Sequence, residues 1–201
     1  MKLNNILWRI KSINPNIKFV GSFDENNLKT GYWEIYYYNG ILRRKGNYAN
    51  GMEDGYWEAY RRNENLWYKG NYINGKKEGY WEYYHENGNL GWKGYYVNGM
   101  EDGYWELYHF KGNLTRKGNF VNGERDGYWE YYWPNGEVFW KGNYINGIRD
   151  GYWEEYYSIG NLESKGNYIN GTKDGYWERY WSNGNIESKG NYINGVFYEI
   201  K

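Results

Sequence analysis

The sequence predicts an all-β fold: an elongated, single-layer antiparallel β-hairpin repeat solenoid with a 24-residue period. Three observations predict it. Gly-Tyr-Trp-Glu occurs seven times, placing Trp33, Trp57, Trp81, Trp105, Trp129, Trp153 and Trp177 at intervals of 24 residues, and a fixed short period is the signature of a repeat array. Asn-Gly turn signals recur in every unit. The chain holds 28 Tyr and 13 Trp in 201 residues, while Leu, Ile, Val and Phe together make about 17% of it. Each buried aromatic side chain removes roughly 150–250 Å² from water, so aromatics replace the missing aliphatics as the material of a core.

With the glycine as repeat position 1, the unit reads G-Y-W-E-x-Y-x-x-N-G-N-L-x-x-K-G-N-Y-[IV]-N-G-x-x-[DE]. Position 15 is Lys in all seven units (Lys45, Lys69, Lys93, Lys117, Lys141, Lys165 and Lys189), and Asn-Gly at positions 20–21 is equally constant. Residues 1–201 read as one repeat domain: a degenerate N-terminal capping repeat over 6–30, seven repeats over 31–195, and a C-terminal capping strand over 196–201. The degenerate unit aligns Trp8 with Trp33, Asn14-Pro15 with Asn39-Gly40, Gly21 with Gly46 and Phe23 with Tyr48. Atypical terminal repeats are expected where an array must be capped.

Four units carry Asn-Gly at positions 9–10: Asn39-Gly40, Asn87-Gly88, Asn135-Gly136 and Asn183-Gly184. Flanked by Tyr, Trp, Ile and Val, these predict hairpins closed by two-residue type I′ turns. In the unit starting at Gly79, that turn sets Glu82 opposite Lys93 and Trp81 opposite Gly94, with the indole covering the glycine. The second turn has two solutions. A two-residue turn at Asn98-Gly99 slips the ladder by two residues per unit. A four-residue loop, Asn98–Glu101, gives no slip, lets Glu106 also meet Lys93, and is the preferred register, with Asp102 capping the loop. One face then carries Trp81, Leu90, Gly94 and Tyr96, and the other Tyr80, Glu82, Tyr84, Lys93 and Tyr95. About 16 strands at ~4.8 Å predict a length of roughly 75 Å.

This pattern resembles the MORN-repeat-variant family. The residues that carry the likeness are Gly79-Tyr80-Trp81-Glu82-Tyr83-Tyr84, Asn87-Gly88-Asn89-Leu90 and Lys93-Gly94-Tyr95-Tyr96-Val97-Asn98-Gly99, with their equivalents over about residues 18–195. The resemblance implies β-hairpin solenoids used for binding. Some members carry a bacterial antitoxin label, and others occur as repeat arrays in host-associated bacteria.

Charge and composition exclude several functions. Lys+Arg and Asp+Glu both number 25, so the chain lacks the basic surplus by which phosphate backbones are neutralised, and no nucleic-acid partner is expected. No cysteine is present, which removes disulfides, thiolate metal sites and cysteine nucleophiles. No run approaches the ~20 apolar residues that cross a bilayer, and Asn4, Asn5 and Arg9 interrupt the N-terminal apolar stretch. A cytoplasmic location is therefore expected, and membrane binding is not.

His85 and His109 occupy position 7 of adjacent units, about 9.6 Å apart at the strand spacing, too far to share one metal ion. The Glu row (Glu34, Glu58, Glu82, Glu106, Glu130, Glu154 and Glu178) is uniformly paired with lysine. It therefore lacks the asymmetry in environment that an acid–base pair needs. Asp54, Glu78, Asp102, Asp126, Asp150 and Asp174 read as turn caps rather than calcium ligands, which must converge as 6–8 oxygens. The sequence predicts no enzyme, cofactor or metal site.

The informative positions are those that vary between units. Positions 5 and 14 face each other beside the tryptophans, as Ile35/Arg44, Ala59/Tyr68, Tyr83/Trp92, Leu107/Arg116, Tyr131/Trp140, Glu155/Ser164 and Arg179/Ser188. Aromatics gather in the middle, and position 7 adds Trp133. The reading is an exposed patch of Tyr83, Trp92, Tyr131, Trp133 and Trp140 flanked by Arg116. Exposed aromatic patches mark binding sites, and Tyr, Trp and Arg dominate interface energetics. The expected function is a non-enzymatic scaffold for a protein partner, antitoxin-like by the resemblance, with self-association through the same patch as the competing use. Carbohydrate or cell-wall binding is the first alternative, and lipid-surface binding the second.

Overall fold

The computed structural model describes residues 17–200; the portion of the N-terminal repeat read at 6–16, with Trp8 and Asn14-Pro15, lies outside them. The described residues form 17 β-strands. The chain divides into two compact units, one up to Met100 and one from Glu101.

In the first unit the strands are β1 (Ile17–Phe23), β2 (Lys29–Tyr37), β3 (Leu42–Ala49), β4 (Met52–Tyr60), β5 (Leu66–Ile73), β6 (Lys76–Tyr84) and β7 (Leu90–Val97). A two-residue strand, β8 (Met100–Glu101), stands at the division. The second unit holds β9 (Gly103–Tyr108), β10 (Leu114–Val121), β11 (Glu124–Tyr132), β12 (Val138–Ile145), β13 (Ile148–Tyr156), β14 (Leu162–Ile169), β15 (Thr172–Tyr180), β16 (Ile186–Ile193) and β17 (Val196–Glu199). From β1 to β7, and again from β9 to β17, each strand pairs antiparallel with the next in the chain.

Neither turn takes the geometry expected of it. At the first turn positive φ falls on the glycine and not on the preceding Asn; Gly88 has φ 87°. The amide of Gly88 donates to the His85 carbonyl at 3.0 Å, and that of His85 to the Asn89 carbonyl at 2.8 Å. This is a three-residue loop, a type I turn followed by a left-handed glycine. Tyr84 then pairs with Leu90, whereas Tyr83 still pairs with Trp92. A one-residue bulge at Gly91 therefore cancels the extra loop residue and restores the Glu82–Lys93 and Trp81–Gly94 pairs. Opposed residues share a face, so Leu90 lies with Tyr84 and not with the tryptophans.

The type I′ turn sits at the second Asn-Gly: Asn74 and Gly75 have φ 49° and 76°, and Ile73 pairs directly with Lys76. The four-residue loop is thus corrected to two residues. The slip this would cause is absorbed at once, because Asn71 pairs with Glu78 but Lys69 with Glu82. Two residues bulge out of β6 at Gly79, whose φ of 69° suits a glycine. The acidic cap is also displaced by one unit: Asp102 accepts from the amide of Asn122, and Asp126 from that of Asn146, each in the turn of the following repeat.

The core of each unit is its tryptophan row. Trp33, Trp57, Trp81, Trp129 and Trp153 have essentially no exposed surface. Each indole lies on the position-16 glycine of the preceding hairpin, Trp57 on Gly46 and Trp153 on Gly142, rather than on the glycine of its own hairpin. Its Nε1 donates to a backbone carbonyl there, as Trp57 does to Asn47 at 3.0 Å. Position-18 tyrosines stand edge-on between successive indoles: Tyr144 lies 5.1 Å from Trp153 at 85°.

Candidate functional site

The tryptophan face is roofed by cations. Lys77 Nζ stands 4.8 Å from the Trp81 ring, the Arg149 guanidinium 4.5 Å from Trp153, and Lys173 Nζ 4.0 Å from Trp177. Cation–π attraction combined with coverage of apolar surface by the side-chain stems explains how a single-layer sheet hides its indoles. Burial holds the Lys29 and Lys173 ammonium groups below the usual lysine value. These lysines and arginines stand two residues beyond the second turn in most repeats, with Glu53 and Glu101 there in two others, and were not singled out from the sequence.

In the first unit, Tyr83 and Trp92 stack at 5.5 Å with their planes 3° apart. Arg61 donates to the Tyr83 hydroxyl at 3.1 Å, and its guanidinium lies 5.2 Å from the Trp67 ring. Lys77 Nζ is 5.4 Å from the ring of Trp92. In the second unit, Tyr131 and Trp140 stack at 3.6 Å. Arg116 donates to the Tyr131 hydroxyl at 3.3 Å and lies over its ring at 5.6 Å. Arg116, Tyr131 and Trp140 therefore form one contiguous group. Trp133 sits beside it, 4.2 Å from Phe139, with its Nε1 donating to the Tyr156 carbonyl at 3.0 Å.

The expectation of an exposed patch is corrected at Trp140. Trp140 is buried, 7% exposed, packed 5.0 Å from Trp153. Tyr83, Trp92, Arg116, Tyr131 and Trp133 are half-buried. The physical reason is mutual: facing aromatics stack on each other and on the indole row before they meet solvent. Residues the sequence reading missed complete the two groups: Arg61 and Trp67 in the first, and Phe139 and Arg125, 5.6 Å from the Tyr131 ring, in the second. Trp67 and Phe139 occupy the bulge position, which an unbulged register places opposite position 6, on the other face.

The opposite face is a charge ladder. Glu58, Glu82, Glu130, Glu154 and Glu178 at position 4 each bind the lysine of the preceding hairpin, as in Lys69–Glu82 at 2.6 Å and Lys141–Glu154 at 2.8 Å. Tyrosines at positions 2 and 6 donate to the same carboxylate, as Tyr56 and Tyr60 do to Glu58 at 3.2 and 2.6 Å. The position-2 tyrosines are exposed, Tyr32 at 54%. His109 packs against Phe110 with ring centroids 4.2 Å apart and accepts the Lys111 amide at Nδ1. Among the described residues no three His, Asp or Glu are grouped to hold a metal ion, and no helix is long and apolar enough to cross a membrane.

Among the described residues both faces present side chains in repeating rows. A family model described as MORN repeat variant matches residues 29–50, 101–122, 125–146, 149–170 and 173–194, more than half of the chain. No curated protein matches it. The hairpin unit, its turns and the matched segments agree, and the chain belongs to the MORN repeat variant family, a non-catalytic repeat type that mediates interactions with proteins and membranes.

Proposed function

We propose that the chain is a scaffold that binds a protein partner through its tryptophan face. The contact residues are Tyr83 and Trp92 in the first unit, and Arg116, Tyr131 and Trp133 in the second, with buried Trp140 holding Tyr131 in place. One observation carries this reading. The scaffold residues are nearly identical from hairpin to hairpin, yet the paired positions beside the tryptophans change, and where they are aromatic they stack as rigid pairs next to an arginine. Rigid aromatics cost little entropy on binding, and arginine beside them adds directed hydrogen bonds. Neutralising a toxin is one form such binding takes, and it rests on the family resemblance. The zero net charge supplies no general attraction to anionic lipid, which favours a protein over a membrane.

The test is affinity capture from the lysate of the source organism. The baits are the native chain, Tyr83→Ser/Tyr131→Ser, and Tyr80→Ser/Tyr128→Ser on the opposite face. A stoichiometric complex with one protein, lost only with Tyr83→Ser/Tyr131→Ser, is expected. Equal capture by all three baits, or capture of none with retention on a glycan column, overturns the proposal. Sedimentation of the purified chain distinguishes self-association from partner binding.

A further inference from the structure

We infer that a recess in the first unit, on the face away from the tryptophans, binds an alkylammonium group. The recess measures about 480 Å³ and is lined by Tyr36, Gly40, Ile41, Leu42, Tyr60 and Glu64, within the range of about 300–1,000 Å³ typical of ligand pockets. It sits where two departures from the repeat meet.

The first departure is Ile41. Position 11 is Asn in most units, and its amide ties one first turn to the next: Asn65 donates to the Glu86 carbonyl at 2.9 Å, Asn113 to that of Pro134 at 2.8 Å, and Asn161 to that of Ser182 at 2.8 Å. Isoleucine cannot make that tie and offers an apolar wall instead. The second departure is Glu64. Position 10 is glycine in the other six full repeats and has positive φ there, from Gly40 at 85° to Gly184 at 86°. Glu64 adopts φ 67° in the same slot, a conformation that L residues with long side chains resist. Among the described residues its carboxylate has no ion pair, and the strain gains no visible structural contact in return.

The two tyrosine walls are held in position. Tyr36 donates to Glu34, and Tyr60 to Glu58 at 2.6 Å. Of the carboxylates only Glu64 lines the recess; Lys45 lies 5.7 Å from the Tyr60 ring, with its charge matched by Glu58 at 2.8 Å. The neighbouring arginines point elsewhere: Arg61 to the Tyr83 hydroxyl and the Tyr84 carbonyl, and Arg62 over the rings of Tyr37 and Tyr38. Aromatic faces, an apolar wall and one uncommitted carboxylate match a cation carried on an apolar stem. A metal ion would need several converging oxygens, and an anion meets the wrong charge. The site lies on the other face from the proposed partner surface and does not depend on it.

The experiment is calorimetric titration of the full chain with butylammonium, with 1-butanol as the neutral isostere, in native, Glu64→Gly and Glu64→Gln forms. Butylammonium should bind at least tenfold more tightly than butanol, and both variants should lose that preference. Glu64→Gly should melt no earlier than the native chain, so its loss of binding cannot be unfolding. The tripeptide Gly-Lys-Gly distinguishes the source: tighter binding than butylammonium assigns the site to a lysine of a partner, and weaker binding to a free amine. Equal affinity for butylammonium and butanol, or full affinity in Glu64→Gly, overturns the inference.

Discussion

The indole of Trp153 rests directly on Gly142 of the preceding hairpin, so close that a Cβ on Gly142 would overlap the ring. The same indole donates from Nε1 to the neighbouring Asn143 carbonyl at 3.1 Å. The ring is therefore fixed at one end by a hydrogen bond and pressed flat along its length. Gly142→Ala cannot be accommodated by rotating the indole without breaking that bond. The expected cost is about 2–3 kcal/mol, the upper part of the range for overpacking a well-filled core, read from urea denaturation. Asn143→Ala, one residue away on the exposed side, should cost less than about 0.5 kcal/mol. Equal effects for the two would show that the indole does not depend on the glycine.

Glu64 supplies the converse case, a side chain where the scaffold asks for none. Glu64→Gly removes the left-handed strain, although the added freedom of glycine in the unfolded chain offsets part of the gain. A net stabilisation of about 1 kcal/mol is expected, the lower part of the penalty for a left-handed L residue. Glu64→Ala retains the Cβ and should gain nothing. A destabilised Glu64→Gly would mean that the carboxylate makes a favourable contact in the native state.

The charge ladder sets the pH limits of the fold. Hydrogen bonds from Lys165, Tyr180 and Tyr176 hold Glu178 below the usual carboxylate value. At Glu58, Glu82, Glu130 and Glu154 burial pushes upward, but the lysine and tyrosine donors outweigh it and the net shift is downward. A carboxylate depressed in the folded state stabilises fully above its unfolded value, about 4.3, and loses that contribution as pH falls through the folded value. The partner lysines, Lys45, Lys69, Lys117, Lys141 and Lys165, are raised by their glutamate hydrogen bonds. Tyr36 is pushed up to about 12 by its hydrogen bond to Glu34. Groups raised on folding stabilise fully below their unfolded values, about 10 for both types, and lose that contribution as pH rises beyond them. Melting temperature should be flat between about pH 5 and 9 and fall on both sides. No loss below pH 4 would mean that the ladder carries no net stability.

Much of this was legible because the repeat writes each rule seven times. The Trp–Gly and Glu–Lys registers followed from spacing alone. What misled was the pair of Asn-Gly dipeptides, which look alike but close different turns. At Asn87-Gly88 only the glycine is left-handed, and at Asn98-Gly99 both residues are. The bulges at Gly91 and Gly79 then cancel the resulting slips, so the correct charge pairs emerge from incorrect loops. Leu90 shows the consequence: the register without the Gly91 bulge places it on the tryptophan face, whereas it pairs with Tyr84. Trp140 departs from expectation for a different reason. On an uncovered face its position reads as accessible, whereas stacking on Tyr131 and the Arg149 guanidinium 5.5 Å away cover it.

Trp133 separates scaffold from surface within one residue. Its indole nitrogen is committed to the Tyr156 carbonyl in the next hairpin, and its ring packs on Phe139. Tyr37 and Tyr157, at the same repeat position, reach the equivalent carbonyls of Tyr60 and Tyr180 with their hydroxyls at 3.0 and 2.8 Å. The polar atom at this position thus serves the array, and only the ring remains to meet a partner. Trp133→Phe keeps a ring on Phe139 and leaves the Tyr156 carbonyl without its donor. A loss of about 1 kcal/mol in stability is expected, the net worth of one hydrogen bond, with partner capture retained. Trp133→Ala removes both ring and donor, and should lower stability further and weaken capture. If Trp133→Phe abolished capture while melting like the native chain, the nitrogen would belong to the interface, and the hydrogen bond to Tyr156 would not be what holds this side chain.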